Sequence, residues 1–592
     1  MNVWVRWHTF FLDWTQKRLN ERQFLILSSA MIGLTAGLAA VILKTFVHYI
    51  HDALTDNTTF ISQYYLYPFF PLIGLLLVVT YVKRFHNGSL EKGTAFILYS
   101  ISRKSSLLAP VHMIAHIITS GMTIGFGGSS GLEAPIAVTG AGIGSNFSRT
   151  YHLNYKNRTL LLSCGAAAGI AAAFNAPIAG VLFAIEVLLI DISATAFIPL
   201  IIAAAVGTLC SKVVLQQGIL MSFTTQQAFD FGNTPYYLLL GLFAGFISIY
   251  HSRMFVRIDK LFGKINHPYA KAIIGGLILM ILIFLFPPLF GEGYTGIISL
   301  SESNTQSLLT NSAFREYLNN EWVILLFLGV IIFVKVFATA ATLSSGGNGG
   351  NFAPSLMVGA FSGFVFARFV NLTGFTTLPE SNFTLVAMAG VMTGVMHAPL
   401  TAIFLIAEIT GGYGLMIPLM IVSSVAYVVV KIFEPNSIDT LKLASKGELI
   451  THDRDKKILS YITLEGIIEK DFQPVQEKAK LRELIRIIEK SHRNIYPVIS
   501  ADNKLAGIIQ LDSIREIMFH QELYDKVLIK ELMQKPVAII SLDESMESVM
   551  QKFDETHAWN LPVVSKGIYT GFISKSVIFN KYRNYLIERS VH

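Results

Sequence analysis

A polytopic helical membrane domain made of two mutually repeating halves, followed by a soluble α/β module that repeats within itself, is the fold class this sequence predicts. Three observations carry it. The 592-residue chain is 52% hydrophobic and only 14% charged, with a mean hydropathy of +0.53, whereas an ordinary soluble domain carries roughly 25% charge. Apolar stretches close to the ~20 residues that cross a bilayer recur up to about residue 433. Gly- and Pro-rich interruptions of those stretches come in pairs at a nearly constant spacing.

Taken in order, residues 3–22 place Trp4, Trp7, Phe11 and Trp14 on one helical face among Arg6, Lys17, Arg18 and Arg22. Aromatic and basic residues beside a span predict a cytoplasmic interfacial helix over 1–22. Apolar stretches follow at about 24–50, 65–83, 107–125, 159–190, 196–216, 235–256, 270–289, 322–343, 352–371, 382–409 and 412–432. Interruptions at Gly127–Pro135, Asn175–Pro177, Gly346–Pro354 and His397–Pro399 predict broken helices. A bilayer tolerates those only where they are buried in protein or line a wet cavity. The net charge of +7 is expected on cytoplasmic loops, not as a nucleic-acid surface. Cys164 and Cys210 lie in apolar runs and are expected as small core residues.

The interruptions decide the architecture. Gly131-Leu-Glu-Ala-Pro135 and Gly350-Asn-Phe-Ala-Pro354 share glycine, alanine and proline at an offset of 219. Ala176-Pro177 followed by Glu186 matches Ala398-Pro399 followed by Glu408 at an offset of 222. Residues 108–230 and 325–432 therefore read as two copies of one unit. Paired broken segments in two halves predict a transporter-type fold with its site where the halves meet.

The stretch Gly127–Ser145 holds one ionisable residue, Glu133. Proline at the first helical position is pre-set for helix entry, so Glu133 is expected at or just before a helix N-terminus. Free N–H groups and the helix dipole make that spot an anion site. Glu133 then either caps a helix or occupies the place of a diffusible anion as a gate. The second copy has Phe352 where the acid would be. The turn itself needs no acid, which favours the gate.

After about residue 433 charged residues become frequent and strand-like and helix-like runs alternate. Tyr496-Pro-Val-Ile-Ser500 with Gly507-Ile-Ile-Gln510 resembles Leu561-Pro-Val-Val-Ser565 with Gly571-Phe-Ile-Ser574. The prolines are 65 apart and the glycines 64, so this module is also a tandem repeat.

With these motifs in hand, residues 22–440 resemble the membrane domain of the CLC family of chloride channels and proton-coupled chloride exchangers, and 466–585 resemble a pair of CBS domains. GLEAP at 131–135 stands where that family has its glutamate-gate motif, and GGNFAPSL at 349–356 is close to its GxFxP motif. The resemblance implies a CLC-type fold of two inverted repeats of broken helices and a C-terminal tandem CBS domain. The expected domains are the 1–22 helix, a 23–440 membrane domain, a 441–465 linker and a 466–592 CBS module, with copies at about 466–525 and 526–585. It further implies a homodimer in the lipid bilayer of the cell membrane, with the N-terminus and CBS domains cytoplasmic. Chloride is the implied transported ligand, gated by Glu133. Backbone N–H groups at Gly131, Leu132, Ala134, Gly350, Asn351 and Phe352 would line the anion sites. That chemistry suits a monovalent anion, which must bind and yet leave.

Three departures bear on mechanism. Lys92 stands where the family motif GSGIP supplies a serine, and Asp439, in Ser437-Ile438-Asp439-Thr440, stands where it has an inner tyrosine. The two are expected to face each other across the inner mouth and to pair when no anion is bound. Val187 follows Glu186 where exchangers often carry a proton-passing glutamate. A valine cannot relay a proton, so passive, channel-like conduction is expected, with proton-coupled antiport as the alternative. Glu186 and Glu408 are expected to be structural, hydrogen-bonded inside the fold or near the subunit interface. In the CBS pair, the family's ribose-binding aspartate falls one position early, at Asp512, and is replaced by Val577 in the second copy. That speaks for a structural or dimerising role over adenine-nucleotide binding. A CBS-regulated divalent-cation transporter is the lower alternative; it would need clustered acids, whereas Glu133, Glu186 and Glu408 are scattered. No HExxH, paired aspartates or GxSxG-type nucleophile context appears in the spans, so no enzymatic activity and no bound metal are expected.

Overall fold

The structure is a computed structural model that describes residues 19–55, 67–188, 194–215, 228–302, 305, 308, 320–445 and 462–591. Nearly all of the expected interfacial helix, and most of the 441–465 linker, lie outside the described residues. The chain divides into two compact units, Met1–Leu449 and Ile450–His592.

The first unit is built of helices. Among the described residues, nine are long and apolar enough to cross a membrane. A lead-in of α1 (Glu21–Thr55), α2 (Phe70–Phe85) and α3 (Thr94–Arg103) precedes the first half. That half is α4 (Val111–Gly125), α5 (Glu133–Thr150), α6 (Tyr155–Phe174), α7 (Pro177–Glu186) and α8 (Ala194–Leu215). Helices α9 (Thr234–Gly263), α10 (Pro268–Leu285) and α11 (Tyr294–Ser301) connect it to the second half. The second half runs α12 (Glu321–Ser344), α13 (Phe352–Thr373), α14 (Glu380–Met396), α15 (Pro399–Ile409) and α16 (Met416–Phe433), and α17 (Ile438–Ser445) follows.

The sequence repeat is a repeat of helix breaks. Asn175 after α6 and His397 after α14 both adopt a left-handed backbone at φ 57°, a conformation that stops a helix. Ala176 and Ala398 then extend, at φ −127° and −128°, and Pro177 and Pro399 open the next helices with φ already set. Helices α5 and α13 differ from the expectation in one detail. They begin at Glu133 and Phe352, two residues ahead of Pro135 and Pro354. Proline is tolerated there because first-turn N–H groups have no helical acceptor to lose.

Small residues let the helices of each half approach closely, as in other membrane bundles. A Cβ on Gly144 of α5 would lie 2.0 Å from the Leu161 carbonyl oxygen of α6. In the second half, 219 residues on, one on Gly363 of α13 would lie 2.1 Å from that of Phe383 in α14. Cys164 and Cys210 are buried and free.

The orientation of the halves follows from two acids. Glu186, ending α7, accepts hydrogen bonds from Leu400 N at 3.0 Å, Thr401 N at 2.7 Å and Thr401 Oγ1 at 2.7 Å, at the start of α15. Glu408, in the last turn of α15, accepts from Ile178 N at 3.0 Å and Ala179 N at 2.9 Å, at the start of α7. Each carboxylate satisfies N–H groups that would otherwise be orphaned and sits at the positive end of a helix. Equivalent helices that cap one another in this way must run antiparallel, so the halves are inverted. Glu186 and Glu408 thus have the structural role expected of them.

In the second unit, the first copy contains β1 (Val475–Gln476), α18 (Leu481–Lys490), β2 (Ile495–Ile499) and β3 (Leu505–Gln510). The second contains β4 (Ile540–Ser541), α19 (Met546–Thr556), β5 (Asn560–Ser565) and β6 (Ile568–Ser574), and α20 (Lys575–Val591) follows. Each copy is a three-stranded sheet with one parallel and one antiparallel pairing. Pro497 lies opposite Ile508 and Pro562 opposite Phe572, so the register repeats with the sequence. Each has a core of its own, including Leu484, Tyr496 and Ile509 in the first and Val549, Phe553 and Ile573 in the second. The copies meet through backbone bonds between Glu469 and Phe572, at 2.8 and 3.0 Å, and a Phe472–Phe572 ring contact at 4.5 Å.

Candidate functional site

The two halves touch through a pair of glycines. Gly131 N donates to Gly350 O at 3.0 Å and Gly350 N to Gly131 O at 2.9 Å, an antiparallel bridge that sets the N-termini of α5 and α13 side by side. Neither N-cap, Leu132 or Asn351, makes a side-chain capping bond, so the first-turn N–H groups face the junction, where negative charge is favoured. Both glycines are needed for this approach. A Cβ on Gly350 would lie 2.7 Å from Ala134 Cβ, and one on Gly131 would lie 2.9 Å from Ala353 Cβ.

Glu133 opens α5 and is 3% exposed. Its Oε1 accepts a hydrogen bond from Tyr294 Oη. Oε2 has no bond of regular geometry, but the carboxylate faces the N–H groups of Glu133 itself and of Ala353 in α13. The acid therefore lies across the junction of the two halves.

A second reciprocal set holds the loops that enter these helices. Asn348 N donates to Thr123 Oγ1 of α4 at 2.9 Å, and Ser129 N donates to Thr342 Oγ1 of α12 at 3.1 Å. The fully buried His116 of α4 has its Nδ1 2.9 Å from Asn348 Nδ2. The fully buried Lys335 of α12 donates to Ser129 Oγ at 2.8 Å and Gly291 O at 3.1 Å. His116 and Lys335, Thr123 and Thr342, and Ser129 and Asn348 are each 219 residues apart. Sequence reasoning missed these residues. The constant offset was the signal, but two of the three pairs differ in residue type, so matching identities passes over them.

Also missed was the turn Gly291–Tyr294. Glu292 Oε1 accepts from Leu132 N at 3.1 Å, and Gly291 N donates to Gly127 O at 3.1 Å. Lys44 of α1 donates to Ala173 O, and its charge acts on Glu292 and Glu133.

Residues 74–431 match the family described as voltage gated chloride channel. The chain belongs to that family. Residues 464–520 and 529–583 match the CBS domain. Among curated relatives, chloride channel protein CLC-f of Arabidopsis thaliana is 26% identical over 75% of this chain and 60% of its own length. Chloride channel protein CLC-e of the same plant is 28% identical over 68% and 59%, so the match spans about 60% of these relatives. An H(+)/Cl(−) exchange transporter ClcA of Vibrio cholerae is 27% identical over 67% of this chain and 84% of its own. Solved structures with the same fold include a slow cyanobacterial Cl−/H+ antiporter, with TM-score 0.63 and 21% identity over 72% of this chain and 98% of that one. A eukaryotic CLC transporter matches with TM-score 0.61 and 19% identity over 93% and 97%. The protein is a multi-pass integral membrane protein of CLC-type fold with a C-terminal CBS pair.

Within this CLC fold, Gly131, Leu132, Glu133, Ala134, Gly350, Asn351 and Phe352 come together at the helix junction, and Phe352 packs on Phe174 with ring centroids 5.2 Å apart. Three of the N–H groups expected to line the anion sites have other acceptors: those of Gly131 and Gly350 bind each other's carbonyls and that of Leu132 binds Glu292, because the close approach of the halves uses the glycine backbone itself. The other expected site residues stand on other elements. Lys92 precedes α3, and its Nζ donates to Gly346 O and, at 3.0 Å, to Gly347 O, in the loop that enters α13. Asp439 lies in the first turn of α17, which packs on α3. Val187 is buried just past α7. In the CBS pair, the exposed Asp512 is ion-paired with Arg515. Among the described residues no group of three or more His, Cys, Asp or Glu side chains is placed to hold a metal ion.

Proposed function

We propose that this protein conducts chloride or a similar monovalent anion passively across a membrane, with Glu133 as the gate. The observation that carries the reading is the Gly131–Gly350 bridge, which joins two uncapped helix N-termini with the carboxylate of Glu133 lodged between them. Neutral N–H donors attract an anion without the tight hold of a full fixed cation. A carboxylate in the same place competes with it and leaves when protonated or displaced. Passive conduction is preferred because Val187 offers no group to carry protons onward. The alternative, proton-coupled antiport, is favoured by relatives and structural neighbours named as Cl−/H+ exchangers.

The expected assembly is a homodimer in the cell membrane, one pathway per subunit, with the N-terminus and CBS pair cytoplasmic. The CBS pair serves a structural or dimerising role. At the inner mouth, Lys92 and Asp439 stand in for the serine and tyrosine of the family and pair when no anion is bound, a reading supported by the packing of α17 on α3.

Flux from liposomes with chloride and pH recorded together tests the mode. Chloride should run down its gradient with no coupled proton movement. Uphill proton movement driven by chloride would overturn passive conduction in favour of antiport.

A further inference from the structure

We infer that the Gly291–Tyr294 turn is the latch of this gate, with Tyr294 a positioning residue that holds Glu133 in the anion site. The inference rests on Glu133 being the gate and deepens that reading. Tyr294 Oη donates to Glu133 Oε1. The turn that carries it is tied to the loop and helix start from which Glu133 projects. Gly291 N bonds Gly127 O at 3.1 Å, Glu292 Oε1 accepts Leu132 N at 3.1 Å, and Lys335 Nζ reaches from Gly291 O to Ser129 Oγ. Gly293 sits at φ 92°, and a Cβ there would lie 2.2 Å from Met357 Sδ, so the backbone that aims Tyr294 is sterically set. Phe290, one residue before the turn, stacks on Tyr67 with centroids 3.9 Å apart.

Acids and lysines are grouped around the latch: Glu292 lies within electrostatic reach of Glu133, Lys44 and Lys335. The Tyr294 hydroxyl is the side-chain donor that joins the Glu133 and Ala353 N–H groups in setting where the Glu133 carboxylate rests. A hydroxyl bound to a carboxylate is among the stronger protein hydrogen bonds. Its loss should shift the competition between Glu133 and a diffusible anion toward the anion.

The test uses the full chain in liposomes, reading chloride efflux, and in detergent, reading chloride affinity by calorimetry. Tyr294→Phe should raise both about tenfold, the size of one hydrogen bond to a charged acceptor. In a Glu133→Ala background it should add nothing, since nothing is left to latch. Glu292→Ala should act in the same direction with a smaller change and also vanish without Glu133; it gives the same reading if Tyr294→Phe does not fold. A merely structural tyrosine would weaken chloride binding instead of tightening it. Unchanged efflux and affinity in Tyr294→Phe, or a change that persists in full without Glu133, would overturn the latch. If Glu133→Ala itself leaves efflux and affinity at the starting values, the gate reading fails. If that variant opens the pathway and Tyr294→Phe does not, the latch alone fails.

Discussion

Glu133 and Phe352 hold equivalent first positions in α5 and α13, and the difference between an acid and a ring at that point makes the two halves chemically unequal. Their backbones are matched, down to the uncapped N-terminus and the proline two residues on, so the asymmetry is chemical. Lys92 and Asp439 are a second substitution of this kind. Lys92 already spends donors on Gly346 O and Gly347 O, so it braces the loop that enters α13. If Lys92 and Asp439 interact across the mouth, Lys92→Ser and Asp439→Tyr should each change chloride affinity, and the double variant should change it by less than the two together. Coupled neighbours depart from additivity by about 0.5–3 kcal/mol. Strict additivity in calorimetric titrations would sink the pairing.

Between elements, the dominant motif is reciprocity. Glu186 caps α15 while Glu408 caps α7, Thr123 holds the loop into α13 while Thr342 holds the loop into α5, and Gly131 and Gly350 bind each other. Each contact in one half is answered by its counterpart because an inverted repeat brings like surfaces together about a pseudo-twofold axis. The glycine bridge joins backbone directly to backbone, and Gly350→Ala would place Cβ 2.7 Å from Ala134 Cβ. Overpacking of this kind costs about 1–3 kcal/mol. The variant should lower the melting temperature of the purified protein and reduce anion flux together, because α5 and α13 must separate to admit the methyl group. Wild-type melting with wild-type flux would show that the junction has room to spare.

At the scale of the whole molecule, the CBS pair is a regulator only if something binds it. Asp512 is exposed and paired with Arg515, and Val577 stands at the matching place in the second copy. ATP should therefore leave the melting temperature of the full-length protein unchanged, since a ligand that binds the native state must stabilise it. A rise that grows with ATP concentration would assign the pair a nucleotide.

Much of this was legible in the order of residues. Hydropathy showed the membrane, and the offsets of 219 and 222 showed two halves. Glycine before Ala-Pro marked where the halves meet, because close backbone approach and helix entry are demands that few residue types satisfy. Glu133 stood out for the same local reason, as the single acid in such a turn. What could not be read are the surroundings of Glu133. Tyr294 and Glu292 lie about 160 residues from it along the chain, and Lys44 and Lys335 lie on two further helices. A turn reading Gly-Glu-Gly-Tyr has no local property that declares what it will grip. Hydropathy and helix breaks act over a few residues and so leave a pattern in sequence. A buried hydrogen bond depends on where folding brings two distant side chains, and that follows from packing.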